Sequence, residues 1–350
     1  MSRKSFITDC EGPLTLNDNA FEVCEKFIPQ GDLFFKILSK YDDCLVEAKH
    51  PNYNAGNTLK LISPFFKAFD ISNFDLIDYS KKNIDLVFGA DETLNYVKDK
   101  INSYIVSTSY GQYIEALCET VHFPYENTVH THLDLDSYTI KDNEKEKLKE
   151  FHKTIISLNP NDISQFGKLD EIFFDELPSL EIYDLMKTVD TVGGEGKRKA
   201  VKRILKSENL PKNSLMYMGD SITDVEPLEF AKKHNGLSIA FNGNNYAMNA
   251  AEIAIISDNT VITSILVDLL AKFNVGHVKE FIQRYSEKGH AEAFYIMEND
   301  EELIVKFDKE YQRKRLPIVE FITDENREYL LKESTKMRKT IRGKDIGELG

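Results

Sequence analysis

Asp9 and Glu11 are the residues near the start of the chain whose types and spacing could perform chemistry. They follow a short apolar segment that predicts a buried strand over residues 5–9, and residues i and i+2 of a strand share one face, about 6.6 Å apart. Unpaired buried carboxylates are unfavourable, so two of them at a strand end indicate metal binding, acid–base chemistry or a nucleophile. Gly12 and Pro13 then predict a turn. The alternative is an exposed turn in which the acids have no function.

Polar residues also occur at the ends of three later segments that have the composition of strands. They are Ser107 at the end of 103–107, Asp220 and Asp224 after 214–218, and Asn242 after 237–241. Ligands of open parallel sheets bind at the carboxyl ends of the strands. We therefore expect all of these side chains at the same edge of one sheet as Asp9.

The elements that must position these residues alternate between strand and helix patterns, which is typical of an α/β fold with a doubly wound parallel sheet. Apolar residues at helical spacing after the first strand predict a mainly helical cap domain inserted into this core. The predicted divisions are the core at 1–16 and 87–275 with an insertion near 122–190, the helical cap at 17–86, and a charged, mostly helical extension at 276–350. Loose alternation predicts a hairpin over 128–138.

The totals exclude several classes of protein. A chain of 350 residues with a net charge of −14 lacks the basic surface that general nucleic-acid or anionic-membrane binding requires. The four cysteines have no zinc or disulfide spacing, which predicts a reducing, cytoplasmic location. Since no run of 18 apolar residues occurs, we expect no direct membrane insertion.

Four segments together resemble the haloacid dehalogenase (HAD) superfamily of Mg²⁺-dependent phosphotransferases. Asp9-Cys10-Glu11-Gly12-Pro13-Leu14-Thr15 resembles its first motif, Ile105-Val106-Ser107 its second, Lys197 its third and Gly219-Asp220-Ser221-Ile222-Thr223-Asp224 its fourth. Their order and spacing match over roughly residues 5–275. One residue departs from the pattern, because Glu11 stands where the superfamily usually has Asp.

Two narrower resemblances lie within this superfamily. Phe88-Gly89-Ala90, Ser107-Thr108-Ser109-Tyr110 and the predicted hairpin are similar to the phosphoserine phosphatases. The segments 8–13 and 240–244 resemble the archaeal HAD proteins called energy-converting hydrogenase A subunit R. That second resemblance implies association with a membrane hydrogenase complex rather than a particular chemistry.

The superfamily resemblance implies a role for each motif residue. Asp9 is the expected nucleophile, forming an aspartyl-phosphate, and Glu11 is the expected acid and base. Mg²⁺ is the implied cofactor, with ligands from Asp9, the backbone carbonyl of Glu11, Asp220 and Asp224. Ser107 and Lys197 are expected to hold the phosphoryl oxygens.

Asp18 and Asn242 are the expected substrate contacts. Asp18 occupies the place at which phosphoserine phosphatases have a carboxylate for a substrate amine, and it is equally suited to cap a helix beginning near Ala20.

The sequence predicts a Mg²⁺-dependent phosphatase for a small phosphorylated metabolite. The alternatives are a phosphotransferase that uses an alcohol acceptor, and an accessory or regulatory subunit of a membrane-bound energy-converting hydrogenase.

Overall fold

One mostly parallel sheet forms the centre of the protein, for which a computed structural model describes residues 3–51, 53–296 and 300–347. The strands of this described part are β1 (Ser5–Thr8), β2 (Asn102–Tyr110), β3 (Thr128–Thr131), β4 (Leu215–Gly219), β5 (Leu237–Phe241), β6 (Ile253–Ile256) and β7 (Ile318–Phe321). Their order across the sheet is β3-β2-β1-β4-β5-β6-β7. Only β7 is antiparallel to its neighbour in this sheet. The predicted doubly wound α/β fold is confirmed.

Helices cover the sheet and build the cap. In the same described residues they are α1 (Asn19–Phe27), α2 (Gly31–Glu47), α3 (Thr58–Ala68), α4 (Asn73–Lys82), α5 (Ala90–Lys100), α6 (Gly111–Val121), α7 (Asp142–Ile156), α8 (Gly167–Asp170), α9 (Tyr183–Thr188), α10 (Glu195–Ser207), α11 (Val225–Lys233), α12 (Asn245–Ala250), α13 (Val261–Lys272), α14 (Val275–Lys288), α15 (His290–Ile296), α16 (Glu301–Tyr311) and α17 (Arg327–Gly347). The helical path of α17 is interrupted at Gly343, where φ is +75°.

The alternation of side chains along each strand divides the core into two layers. Phe6 and its neighbours on that face of the sheet pack against α5, α6 and α13. Ile7, the next residue of β1, packs on the opposite face with side chains from α10, α11 and α12. Because both faces are covered, the central strands β4, β5 and β6 are fully buried and mostly apolar, as buried parallel strands are.

The cap contains two separate stretches of the chain. Apolar side chains of α1–α4 and of α7–α9 belong to one buried cluster. Phe34 of α2 meets Phe65 of α3 edge to face, with ring centroids 4.9 Å apart, and Phe65 in turn contacts Phe173 of the second stretch. The charged segment after β3 therefore packs its apolar face against α1–α4 and forms the second part of the cap.

The hairpin predicted over 128–138 is wrong, because the chain leaves the sheet after β3, which is parallel to β2. Leu133 and Leu135 are buried in the cap cluster rather than paired in a second strand. The side chain of Asn73 binds Asp134 at 2.7 Å and accepts the backbone N–H of Leu135 at 2.9 Å. Docking onto α4 thus replaces the strand pairing.

The C-terminal extension packs against the core. Its strand β7 covers the edge of β6, with Val319 opposite Ile255, and α14–α16 add apolar residues to the layer that contains α13. Helix α17 lies on the other side, where Leu330 is buried and the Ser334 hydroxyl donates to the Gly243 carbonyl at 2.6 Å. Within the described ranges no helix is both long enough and apolar enough to cross a membrane.

Candidate active site

The candidate site lies where the strand order of the sheet reverses, between β1 and β4. Thr8 pairs with Met218, and the Asp9 N–H donates to the Met218 carbonyl at 2.8 Å. Asp9 and Asp220 therefore leave neighbouring strands side by side. Such a switch point is the usual ligand site of an open α/β sheet.

Three buried carboxylates gather at this point around one lysine. Ligand oxygens of Asp9, Asp220 and Asp224 lie within 4.8 Å of one another. Lys197, in the first turn of α10, places its Nζ 2.6 Å from Asp9 Oδ2 and 2.8 Å from Asp224 Oδ1. The lysine is fully buried, and a buried charge requires such partners. The arrangement brings together residues of three predicted motifs.

Asp224 is held by several donors at once. Its carboxylate accepts the Tyr217 hydroxyl at 2.7 Å and the N–H groups of Asp220 and Ser221 at 3.0 and 3.2 Å. Burial opposes its ionisation, but Lys197 and the hydrogen bonds outweigh burial, so the pKa of Asp224 lies below its ordinary value. Asp224 is therefore a fixed anion that positions Lys197.

Asp9 is more strongly perturbed than Asp224. Burial raises the pKa of Asp9 well above its ordinary value, and the negative charge of Asp224 adds to this against the opposing effect of Lys197. The Cys10 N–H donates to Asp9 Oδ1 at 2.7 Å. A cation close to Asp9 would favour its ionised form, which is the form that acts as a nucleophile.

Gly12 allows the loop after β1 to pass directly against Asp220. Its φ is +99°, and a Cβ at this position would lie 2.3 Å from Asp220 Oδ2. Any other residue would both strain the backbone and displace that carboxylate.

Glu11 and Asp18 face each other across the beginning of α1. Glu11 Oε1 accepts the Asn19 N–H at 2.7 Å, and Asp18 Oδ1 accepts the Phe21 N–H at 3.0 Å as the N-cap of α1. Burial raises the pKa of Glu11 well above its ordinary value, and the charge of Asp18 raises it further. Asp18 also lines a cavity at this edge of the sheet. Its position is therefore compatible both with capping α1 and with contacting a substrate.

Two predicted residues have their side chains in other contacts. The Ser107 hydroxyl donates to Ser109 Oγ at 3.0 Å, and the cavity is lined by Thr108 and Ser109 instead. The amide of Asn242 donates to the Ser257 carbonyl at 2.7 Å and accepts the Ser257 N–H at 2.9 Å. Asn242 thus joins the ends of β5 and β6, and its substrate role stays a prediction.

Sequence reasoning missed two arginines that α17 brings to the site. Arg338 Nη1 donates to Asp220 Oδ2 at 2.5 Å, and Arg342 Nη1 lies 3.4 Å from the same oxygen. The signal in the sequence was weak, because residues 332–344 are merely basic. The i,i+4 spacing places both arginines on one helical face, but it does not show what that face contacts.

These groups surround a cavity of about 110 Å³ between the strand ends, the cap and α17. Its polar lining includes Asp9, Glu11, Asp18, Ser39, Asp42, Asp43, Thr58, Thr108, Ser109, Asp220, Arg338 and Arg342. Burial raises the pKa of Asp42 to about 6 and, with the charge of Asp42, that of Asp43 to about 7. A cavity of this size and polarity suits a small charged ligand.

A sequence model of the family described as haloacid dehalogenase-like hydrolase matches residues 76–266. The chain belongs to this family. The resemblance predicted from the four motifs is thereby confirmed. Among curated proteins no match to this HAD-like hydrolase was found.

Solved structures include a similar protein of matching length. The gene product AF1437 from Archaeoglobus fulgidus is 28% identical to this protein. The alignment covers 100% of this chain and 99% of AF1437, with a TM-score of 0.80. A phospho-aspartyl intermediate analogue of phosphoserine phosphatase aligns at 16% identity with a TM-score of 0.49, over 76% of this chain and 98% of that one. A substrate-bound phosphoserine phosphatase complex has the same coverage, at 17% identity and a TM-score of 0.45.

The buried acids of this HAD-like hydrolase fit a hard divalent cation. Mg²⁺ prefers carboxylate, carbonyl and water oxygens, and Asp9, Asp220 and Asp224 present carboxylate oxygens within 4.8 Å of one another. Asp224 is already bound by Lys197 and backbone N–H groups, whereas Asp220 shares its carboxylate with arginines of α17.

Proposed function

We propose that this HAD-like hydrolase is a Mg²⁺-dependent phosphatase that acts on a small phosphorylated metabolite through an aspartyl-phosphate at Asp9. The observation that carries the proposal is the group of three buried carboxylates around Lys197, of which Asp9 and Asp220 line the cavity. Carboxylates next to a buried lysine suit phosphoryl transfer, because the reaction needs an anionic nucleophile and cations for the transferred charge.

Asp9 is the proposed nucleophile. One of its carboxylate oxygens attacks phosphorus, so a P–O bond to Asp9 forms as the bond to the leaving oxygen breaks. The Cys10 N–H and Lys197 fix the orientation of the carboxylate. Asp9, Asp220, Asp224 and the Glu11 carbonyl would hold Mg²⁺, which when bound draws negative charge from the phosphoryl oxygens.

Glu11 is the proposed acid and base. Its raised pKa favours a protonated carboxyl that can donate to the leaving oxygen. The resulting carboxylate then takes a proton from the water that attacks the aspartyl-phosphate, which restores Asp9 and releases phosphate. The Asn19 N–H bond holds the side chain beside the nucleophile's loop.

Lys197 is the proposed counter-charge for the transferred group. Its ammonium touches Asp9 directly, and the attraction of Asp224 and Asp9 outweighs burial, so its pKa lies above the ordinary value and it stays protonated. Ser107 keeps its proposed role in holding phosphoryl oxygens. Thr108 and Ser109, which line the cavity, present hydroxyl groups to the same space.

The cap is proposed to exclude water during the reaction. The two ends of its first stretch, α1–α4, meet the core side by side, since the Leu16 N–H donates to the Asp85 carbonyl at 2.8 Å. Asn17 accepts the Asp85 N–H at 2.8 Å and the Tyr113 hydroxyl at 2.9 Å. This pair of connections is the natural hinge for a lid.

A panel of phosphate esters assayed with and without Mg²⁺ tests the proposal. We expect phosphate release only with the metal, and no turnover in Asp9→Asn. Asp99→Asn removes an exposed acid and is the matched control that should retain activity. Alcohols added to the assay would accept the phosphoryl group if the protein is a phosphotransferase. A wild-type chain that hydrolyses none of the esters would contradict the proposal and favour the accessory role in a membrane hydrogenase complex.

A further inference from the structure

Helix α17 is built into the candidate active site, although it lies outside the segment that the family model matches. Leu330 is fully buried against the core, and the Ser334 hydroxyl binds the Gly243 carbonyl at 2.6 Å. Leu330 lies about two turns and Ser334 about one turn before Arg338 on the same helix. Arg338 is therefore held in position by a helix that is packed against the core.

Arg338 joins the loops that follow β4 and β5. Its Nη1 donates to Asp220 Oδ2 at 2.5 Å, to the Asp220 carbonyl at 3.3 Å and to the Asn242 carbonyl at 3.1 Å. Only 3% of the residue is exposed, and it still lines the cavity. A buried guanidinium at the edge of a ligand cavity indicates recognition of an anion.

Arg342 connects the same carboxylate to the hinge of the cap. Its Nε donates to the Leu16 carbonyl at 3.0 Å and its Nη2 to the Asn17 carbonyl at 2.6 Å. Its Nη1 faces Asp220 Oδ2 at 3.4 Å, and the side chain lines the cavity. Both arginines thus stand beside the place where Asp9 would receive a phosphoryl group.

The charges near the strand ends show what the arginines offset. In the described part of the chain, the cations around the cavity are Lys197, Arg338 and Arg342. The acidic side chains are Asp9, Glu11, Asp18, Asp220 and Asp224 at the strand ends, with Asp42 and Asp43 of α2 on the cap side of the same cavity. Mg²⁺ and a phosphate ester dianion together add almost no net charge. Without the arginines, the ester would have to enter a strongly negative site.

We propose that Arg338 and Arg342 are anion-binding residues of the active site, which contact the phosphoryl oxygens of the substrate and make α17 one of its walls. A guanidinium fork matches phosphate oxygens as well as it matches a carboxylate. The arginines can therefore bind the Asp220 carboxylate and a phosphoryl group of the substrate at the same time. The inference rests on the proposed phosphatase function and extends it to a part of the chain that no motif includes.

Binding of inorganic phosphate, separated from binding of Mg²⁺, tests the proposal on the full-length chain. Calorimetry would give the phosphate affinity at saturating Mg²⁺ and the Mg²⁺ affinity without phosphate, for wild type, Arg338→Gln and Arg342→Gln. We expect each variant to bind phosphate about 10-fold more weakly, the value of one charge-assisted hydrogen bond. The Mg²⁺ affinity should be retained. Lys332→Gln, on the exposed side of α17, should bind both like wild type.

Three outcomes would overturn the proposal. Unchanged phosphate affinity would remove the recognition role, and a parallel loss of phosphate and Mg²⁺ affinity would reduce the arginines to supports of Asp220. Tighter phosphate binding would instead identify α17 as an inhibitory helix.

If Arg338→Gln does not fold, Arg338→Lys replaces it. This variant keeps the charge and loses the fork, so we expect phosphate binding about 3-fold weaker than wild type, and wild-type binding would overturn the proposal. Failure of the proposed function is distinguishable, because the wild-type chain itself would then bind no phosphate in the presence of Mg²⁺.

Discussion

Glu11 is the residue whose surroundings matter most for the proposed chemistry. Its carboxyl accepts one backbone N–H from Asn19 and faces the charge of Asp18. Both the burial and this neighbour raise the pKa of Glu11 and so favour its protonated form, which an acid catalyst needs. Glu11 has a longer side chain than the Asp that is usual at this position. It is still compatible with the role of acid and base, because the Asn19 N–H at the start of α1 fixes its carboxyl group.

We predict that Glu11→Gln slows hydrolysis of alkyl phosphates by about 10²–10⁴-fold, the usual contribution of general acid–base catalysis. Esters of acidic phenols should lose much less in formation of the aspartyl-phosphate, because their leaving groups need no proton. Pre-steady-state release of nitrophenol from the variant measures this step directly. Equal losses for both classes of ester would contradict the role of Glu11 as the acid.

Most of the candidate site could be predicted from residue types at the ends of strands. Asp9, Asp220 and Asp224 are close in space because parallel strands end at one edge, which the sequence pattern indicates. Asn242 follows the same rule, yet its amide binds Ser257 because the turn after β5 points the side chain toward β6. The ends of the strands predict which residues lie close together, whereas the local turn determines where each side chain points.

At the scale of elements, α2 is tied to the beginning of α3 by one buried acid. Asp42 Oδ2 accepts the N–H groups of Gly56 and Thr58 at 3.1 and 3.0 Å, and the Thr58 hydroxyl at 2.9 Å. Burial raises the pKa of Asp42 to about 6, above the value of about 3.9 in an unfolded chain. Between these values the folded protein binds more protons than the unfolded chain, so this group makes the protein less stable as pH rises.

We predict that Asp42→Asn reduces the loss of stability between about pH 4 and pH 7, by up to about 3 kcal/mol in the free energy of unfolding. Denaturant unfolding of wild type and variant over this pH range measures the difference. Asp43, whose pKa is raised by burial and by the charge of Asp42, remains in both proteins. Its pKa falls when that charge is removed, so the measured difference contains the titration of Asp42 together with this change in Asp43. Parallel pH profiles would show that Asp42 is already ionised throughout this range.

The failed hairpin shows why one element could not be predicted. The segment after β3 has an alternating pattern, but Leu133 and Leu135 enter the cap cluster, which also contains residues more than fifty positions earlier in the chain. Patterns along a sequence report which faces are apolar and not which distant helix will cover them.

At the scale of the whole molecule, the C-terminal extension links sheet and site. Strand β7 pairs with β6, and α17 follows it directly with the arginines. The mostly helical character of this extension could be predicted from the sequence. The contact of Arg338 with Asp220 spans 118 residues, and it depends on packing that no local pattern encodes.

We predict that Val319→Asp, which places a charge in the buried side of β7, lowers the free energy of unfolding by about 3 kcal/mol. Phosphate affinity should fall with it, because displacement of β7 loosens α17. Thermal unfolding and calorimetry measure the two effects, with Glu328→Gln, an exposed position of α17, as control. A variant that loses stability but keeps full phosphate affinity would show that β7 does not position the arginines of α17.

The central claim, that Asp9 carries the phosphoryl group, is tested most directly by trapping the intermediate. Borohydride reduces an aspartyl-phosphate to homoserine, so wild type quenched during turnover of a phosphate ester with Mg²⁺ should yield homoserine at residue 9 in peptide mass spectra. The Asp9→Asn chain and the metal-free reaction should yield none. Turnover that leaves residue 9 unmodified, or a modification at another acid such as Glu11, would contradict the account.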